Sequence, residues 1–184
     1  MVQPSPHEVP RDPVPTLRVE PGAGQESVWD YPKPPRYEPV ASHVRVAFGG
    51  AVVAETRRAV RALQTGIPPV YYIPSEDVRT EFLIPIERRS HCPYKGDATY
   101  WTVRVGEREA TGAAWSYPTP LPEASAIAGH LAFYAHVMDA CTVDGQPARS
   151  PDWQWIGGWV TAEIVGPFVQ PEQIPGVRHL QHQP

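Results

Sequence analysis

Hydrophobic and polar positions along this chain alternate in short runs, and glycine or proline interrupts nearly every run. His43-Val44-Arg45-Val46-Ala47-Phe48 and Ala51-Val52-Val53-Ala54-Glu55 flank Gly49-Gly50. That arrangement predicts a hairpin, because a type I′ turn needs positive φ at both central residues. A second hairpin is predicted where Thr99–Val105 and Arg108–Thr111 flank Gly106-Glu107, a Gly-X pair suited to a type II′ turn. Arg57–Thr65 carries Ala59, Val60, Ala62 and Leu63, which suit a two-turn helix or a strand; its place after a hairpin favours the strand. Gly66-Ile67-Pro68-Pro69 should stop either element, and Val70–Ile73 should follow as a short aromatic strand ended by Pro74.

Further on, Ser75–Val78 could form one helical turn capped by Ser75. Phe82–Ile86 reads as a short strand, and Pro85 argues for an edge position. Pro118, Pro120 and Pro122 form a rigid linker. The longest apolar run, Ile127–Met138, suits a buried strand near His130–His136, with a helix as the rival; Asp144–Asp152 reads as a loop. Many short strands punctuated by breakers predict a mainly β fold, a single domain of antiparallel strands in two sheets, sandwich- or barrel-like, with little helix.

Composition changes that picture mainly at the ends. The chain has 184 residues and 24 prolines, where average usage would give roughly 9. The first forty residues hold many of them, so residues 1–27 read as a disordered, proline-rich leader. The domain is expected over 28–166, beginning with an irregular strap in which Trp29, Tyr31 and Tyr37 alternate with prolines; a flexible tail follows over 167–184. The net charge of -4 offers no basic footprint for nucleic acid. No apolar run is long enough for a membrane helix, and the N-terminus lacks the features of a signal peptide, so a cytoplasmic protein is expected.

Several motifs in fixed order carry a resemblance. VWDYPKPPR, VRVAFGGAVVAETRRAV, PPVYYIPSEDV, HCPYKGDATYWTVRVG and AAWSYPTPLPEA, spanning about Val28 to Trp159, are similar to the family catalogued as domain of unknown function 427. The resemblance implies a β-rich fold with two sheets related to β-tent folds. Some β-tent proteins bind zinc through paired CxxC motifs, which this chain lacks. The family is sometimes headed nucleotidyltransferase-like, but the sequence has neither a P-loop nor a GS motif with paired carboxylates.

Candidate chemistry concentrates in His91-Cys92-Pro93-Tyr94-Lys95-Gly96-Asp97. Cys92 is the candidate nucleophile, with His91 or Lys95 as groups that would favour its thiolate, and with His130 or His136 as bases reaching it through space. Against this, alternation on a strand sends His91 and Cys92 to opposite faces, and a cysteine here is more often a small buried packing residue. Lys95-Gly96-Asp97 reads as a turn in which Lys95 would meet an anionic or carbonyl group and Asp97 would orient it. Tyr72, Tyr100, Trp101, Trp115 and Tyr117 could line an aromatic pocket with Arg57 at its rim. Trp153, Trp155 and Trp159 are expected to close the core or an interface, and the spacing of His and Cys implies no metal site and no cofactor.

Three functions follow. The first is a small-molecule-binding β domain with its pocket near HCPYKGD; the second is a transferase or hydrolase using Cys92 and His91; the third is a partner-binding scaffold using the leader. A small-molecule ligand is the expected partner, without nucleic acid or membrane, and a homodimer is left open.

Overall fold

The computed structural model describes residues 18–151 and 156–170. Among the described residues thirteen strands follow in chain order. They are β1 (Glu26–Ser27), β2 (Arg36–Val40), β3 (Val44–Phe48), β4 (Ala51–Thr56), β5 (Ala59–Gln64), β6 (Ile67–Pro74) and β7 (Leu83–Cys92). The chain continues through β8 (Gly96–Val105), β9 (Arg108–Ser116), β10 (His130–Phe133), β11 (Ala140–Val143), β12 (Gln146–Ala148) and β13 (Ile164–Val165). Helical turns among the described residues are short 3-10 segments, so the domain is mainly β.

Seven strands form one antiparallel sheet in the order β2-β5-β6-β10-β9-β8-β7, and four form another in the order β12-β11-β3-β4. No ladder joins β2 to β7, so the barrel alternative is not realised. A small third sheet pairs β1 with β13 in parallel. Both expected glycine hairpins are present. Gly49 and Gly50 have φ of +60° and +79°, the left-handed geometry that only glycine adopts without strain, and they join β3 to β4.

Alternation decides where the core sits. On β6, Tyr71 and Ile73 face the four-stranded sheet and join Val44, Val46, Phe48 and Phe133 in the inter-sheet core. Val70 and Tyr72, one residue out of phase, join Tyr100, Trp115, Tyr117 and Ile127 on the opposite face. That face is covered by the 3-10 segment Pro122–Ile127, so β6 is buried along its whole length. Trp159 sits fully inside the inter-sheet core, its indole N–H donating to the Phe133 carbonyl at 2.9 Å and its ring 5.3 Å from Tyr71. Its expected role in closing the core holds; Trp153 and Trp155 lie outside the described residues.

N-terminal to the expected domain start at Val28, Glu26 and Ser27 pair with Ile164 and Val165, and Arg18 bridges to Asp30. Within the expected tail, the Pro167 carbonyl accepts from the Trp29 indole and the Val169 amide donates to the Gly66 carbonyl. Residues 1–17 and 171–184 of the expected leader and tail lie outside the described residues.

Several expectations need correction. The strap contains the strand β2, paired along its length with β5. Pro68 and Pro69 do not stop the chain; they lie within β6, where its pairing with β5 slips between Ala62 and Gln64. The strand begun at Leu83 does lie at a sheet edge but runs for 10 residues. The strand at His130 stops at Phe133, since Ala135–Val137 turns into a 3-10 segment. Ser75 starts its turn without a side-chain cap. The supposed loop at Asp144 is a hairpin, with Asp144 and Gly145 at φ of 49° and 77° between β11 and β12.

Candidate functional site

Strands β7 and β8 bring the candidate residues together, and their register sets what each one faces. His91 pairs with Asp97 and Cys92 with Gly96, so the loop between the strands is Pro93-Tyr94-Lys95. The expected turn over Lys95–Asp97 therefore shifts toward the N-terminus, and Asp97 already belongs to the strand. The Lys95 amide donates to the Cys92 carbonyl at 3.2 Å, closing the turn. The Lys95 carbonyl accepts from Leu121 at 3.0 Å, which docks the turn on the segment leading into Pro122–Ile127. Gly96 has φ of +94°, which a side chain would strain.

Strand alternation then sorts the reactive groups. His91 and Asp97 point outward and bond each other, Nδ1 to Oδ1 at 2.7 Å. Their side chains are 65% and 79% exposed, so solvent screens the pair. Asp97 thus partners His91 and not Lys95, contrary to its expected orienting role. Cys92 turns inward and packs, half-buried, against the aromatic cluster of Tyr72, Tyr100, Trp115 and Tyr117. The Lys95 ammonium follows it and donates to Cys92 Sγ at 3.7 Å. Of the groups expected to act on the thiol, the structure brings Lys95 to it and leaves His91 on the other face.

The cluster also draws in the far edge of the sheet. Tyr37 of β2 packs against the same aromatics as Cys92 of β7, although β2 and β7 are opposite edges. The sheet therefore curls over this face, and both edges supply side chains to one rim. The Tyr37 hydroxyl is buried, and it has no hydrogen-bond partner among the described residues. Burial pushes its ionisation well above the ordinary tyrosine range, and the nearby Cys92 and Glu123 push it further. Tyr117 is shifted the same way by burial and then by Cys92. Tyr72 is raised by burial and then by Tyr117, while a hydrogen bond from Trp115 acts against the rise. Tyr134 is raised by burial and then by Tyr100. These phenols stay neutral at physiological pH and act as hydrogen-bond donors and acceptors, not as bases.

Packing within the cluster is close. Trp115 lies 4.5 Å from Tyr134 and meets Tyr72 edge-on at 6.4 Å, ring centroid to ring centroid. The Tyr100 hydroxyl bonds Ser90 Oγ at 2.8 Å, and the Arg88 guanidinium stands over the Tyr100 ring at 4.2 Å. Tyr72, Tyr100, Trp115 and Tyr117 thus form a closed aromatic floor, each less than a tenth exposed, and the half-buried Cys92, Lys95 and Tyr37 stand at its margin.

Other expected members lie elsewhere. Trp101 faces the inter-sheet core, and its indole donates to Ser116 Oγ at 3.2 Å. Arg57 sits exposed in the turn after β4, close enough to Asp144 to help hold that carboxyl low behind the His43 amide and the Ser42 hydroxyl. His130 bonds the Ala128 carbonyl at 2.8 Å, and His136 bonds Ser150 Oγ at 3.3 Å; neither is placed against Cys92. His136, held below its ordinary range by burial, lines a separate cavity of about 600 Å³ with Met138, Cys141 and Arg149. Cys141 is almost wholly buried, which pushes its thiol up to about 12. Among the described residues no group of three or more His, Cys, Asp or Glu side chains could hold a metal ion, and no helix is long and apolar enough to cross a membrane.

Tyr37 is the aromatic of the cluster that the sequence did not place at the site. The available signal was Arg36-Tyr37-Glu38, a polar–aromatic–polar alternation that marks a half-buried strand. A family model described as a domain of unknown function (DUF427) matches residues 36–144, from β2 to the turn after β11. No curated protein matches the chain.

Proposed function

Because the chain belongs to that family, DUF427, whose description assigns no reaction, we propose a function from the site itself. The protein is a small-molecule-binding β domain, and its ligand sits at the Cys92–Lys95 corner against the aromatic floor. The observation that carries this reading is the Tyr37 hydroxyl, buried and without a hydrogen-bond partner among the described residues, beside the half-buried thiol and its lysine. Buried hydroxyls are nearly always hydrogen-bonded, and leaving one unpaired costs about 1–3 kcal/mol. A ligand acceptor would satisfy it. Lys95 supplies a cation for a carboxylate, phosphate or polarised carbonyl, and Tyr72, Trp115 and Tyr117 supply the apolar backing. The ligand is therefore compact, with one acidic or carbonyl end and a flat apolar body.

The test is a thermal-shift screen of the full chain with aromatic carboxylates, aromatic aldehydes and nucleoside phosphates. Hits should raise the Tm of wild type, and Tyr37→Phe and Lys95→Ala should each weaken binding about tenfold, the loss expected for one good polar contact. Identical responses from wild type and both variants would remove the ligand from this corner.

A cysteine-dependent transferase or hydrolase is the second reading, favoured by the ammonium 3.7 Å from the thiol sulfur. Its test is the rate at which iodoacetamide alkylates native Cys92. A rate no faster than that of a model thiol takes away its main support.

A further inference from the structure

The same corner holds a second kind of chemistry that does not depend on any ligand. We propose that the β7–β8 turn is a peroxide-sensitive modification site, in which oxidation joins Cys92 Sγ to Lys95 Nζ through a covalent sulfur–nitrogen bond.

The geometry favours this partner above others. Lys95 Nζ is already in contact with Cys92 Sγ at 3.7 Å, and the turn that carries both is closed by its own backbone bond. Bond formation needs only rotation of the lysine side chain. Among the described residues Lys95 forms no ion pair with a carboxylate, since Asp97, the acid nearest in sequence, is engaged by His91 on the outer face. Cys92 is half-buried, so a small oxidant can reach it, whereas Cys141 is buried, with 3% of its surface exposed. The buried Tyr37 hydroxyl belongs to the same cluster, within electrostatic reach of the thiol. It supplies a donor for an oxygen added to sulfur.

The chemistry balances in two steps. The Cys92 thiol attacks hydrogen peroxide: an S–O bond forms, the O–O bond breaks, sulfur loses two electrons, and one water leaves. Lys95, after giving a proton to water, then attacks the sulfenic sulfur. An S–N bond forms, the S–O bond breaks, and the hydroxyl leaves as a second water, with no further change in oxidation state. Two equivalents of a small thiol reverse the link by attack at sulfur, returning the thiol and the amine and leaving a disulfide of the reductant.

The experiment treats the native full chain with hydrogen peroxide, digests it with trypsin, and weighs the peptides. The chain has only two lysines, Lys33 and Lys95, so the map is simple. The expected product is the peptide Ser90–Arg104, uncleaved after Lys95 and lighter by two hydrogens, restored to normal cleavage by dithiothreitol. Lys95→Arg keeps the charge but offers a poor nucleophile; it should yield no such product and should raise dimedone trapping of Cys92 sulfenic acid several-fold. Equal dimedone labelling of wild type and Lys95→Arg, with no peptide lacking two hydrogens, would overturn the proposal. So would a Cys92–Cys141 disulfide, or a Cys92 that peroxide does not oxidise in either protein.

Discussion

One methyl group added at Gly157 puts the packing of the aromatic floor to a direct test. Gly157 is not in the left-handed region of φ, so alanine meets no backbone penalty there. Its ideal Cβ would, however, stand within the envelope of the Trp115 ring, 2.9 Å from Cζ2 and nearer still to two other ring atoms. Real Cβ atoms essentially never approach so closely, and the obstacle is a buried indole, not the free end of a flexible chain. Trp115 has little room to retreat, because Tyr134 lies 4.5 Å away and Tyr72 meets it edge-on. Overpacking of this kind costs about 1–3 kcal/mol. The smaller entropy of the unfolded alanine chain returns about 0.4–1 kcal/mol. The net loss should be about 1.3 kcal/mol, or about 3–5 °C in Tm for a chain of this length.

Gly157→Ala, Trp115→Phe and the double variant would be unfolded in urea, with the transition midpoint read by circular dichroism. Phenylalanine removes the benzo atoms of the indole, so the penalty of Gly157→Ala should shrink by at least about 1 kcal/mol in that background. A Gly157→Ala protein as stable as wild type, or a penalty of equal size in both backgrounds, would refute the contact as the cause.

Two further predictions concern the core. Trp159→Phe leaves the Phe133 carbonyl without its 2.9 Å donor inside the inter-sheet core and should lower stability by about 3 kcal/mol with little change in the urea m-value; a loss below about 1 kcal/mol would show that water reaches that carbonyl. Alkali should unfold the protein cooperatively. Tyr71, Tyr72, Tyr117 and Tyr134 are all raised above 10.0 by burial, and Cys141 is raised from 9.0 to about 12. A raised folded-state value gives stability that is complete below the unfolded value and lost as pH climbs toward the folded one. Each such group removes about 1.4 kcal/mol per pH unit in that window. The four tyrosines therefore suffice to unfold a domain of ordinary stability, about 5–15 kcal/mol, within a few pH units above 10. Tyrosinate absorbance should rise together with loss of the β-sheet signal; tyrosines ionising near pH 10 in a protein that keeps its fold would contradict their burial.

What the sequence revealed depended on whether local chemistry or distant pairing was in control. Gly49-Gly50 and Gly106-Glu107 were legible because the turns themselves demand positive φ at glycine. Asp144-Gly145 carries the same signature, yet its strands are only 4 and 3 residues long, and Pro147 disguises the second. Strand β7 was read too short because Glu87, Arg88 and Arg89 interrupt its apolar pattern. An edge strand can carry such charges on the side that faces water. The apolar run at His130 was read too long because Tyr134 and Ala135 remain buried after the strand has ended. Burial continued where regular structure did not.

At the site, alternation alone separated His91 from Cys92. Lys95 was already a candidate partner of the thiol, but alternation could not choose it over His91; the turn over residues 93–95 does, by placing the ammonium beside Sγ. Nor could alternation find Tyr37, which arrives from the opposite edge of a curled sheet. That curl changes what the aromatics can do. Tyr72, Tyr100, Trp115 and Tyr117 are closed against one another, each less than a tenth exposed, so they offer a ligand only the edge of the floor that meets the margin. They hold the margin in place. A ligand reaching that edge meets first the partly exposed residues around it, Cys92, Lys95 and Tyr37. A ligand at this corner would thus be recognised by side chains from both sheet edges, and its affinity would depend on the curl that brings those edges together. Substitutions in the floor should change stability first and binding through it, whereas substitutions at Lys95 should change binding with the fold intact.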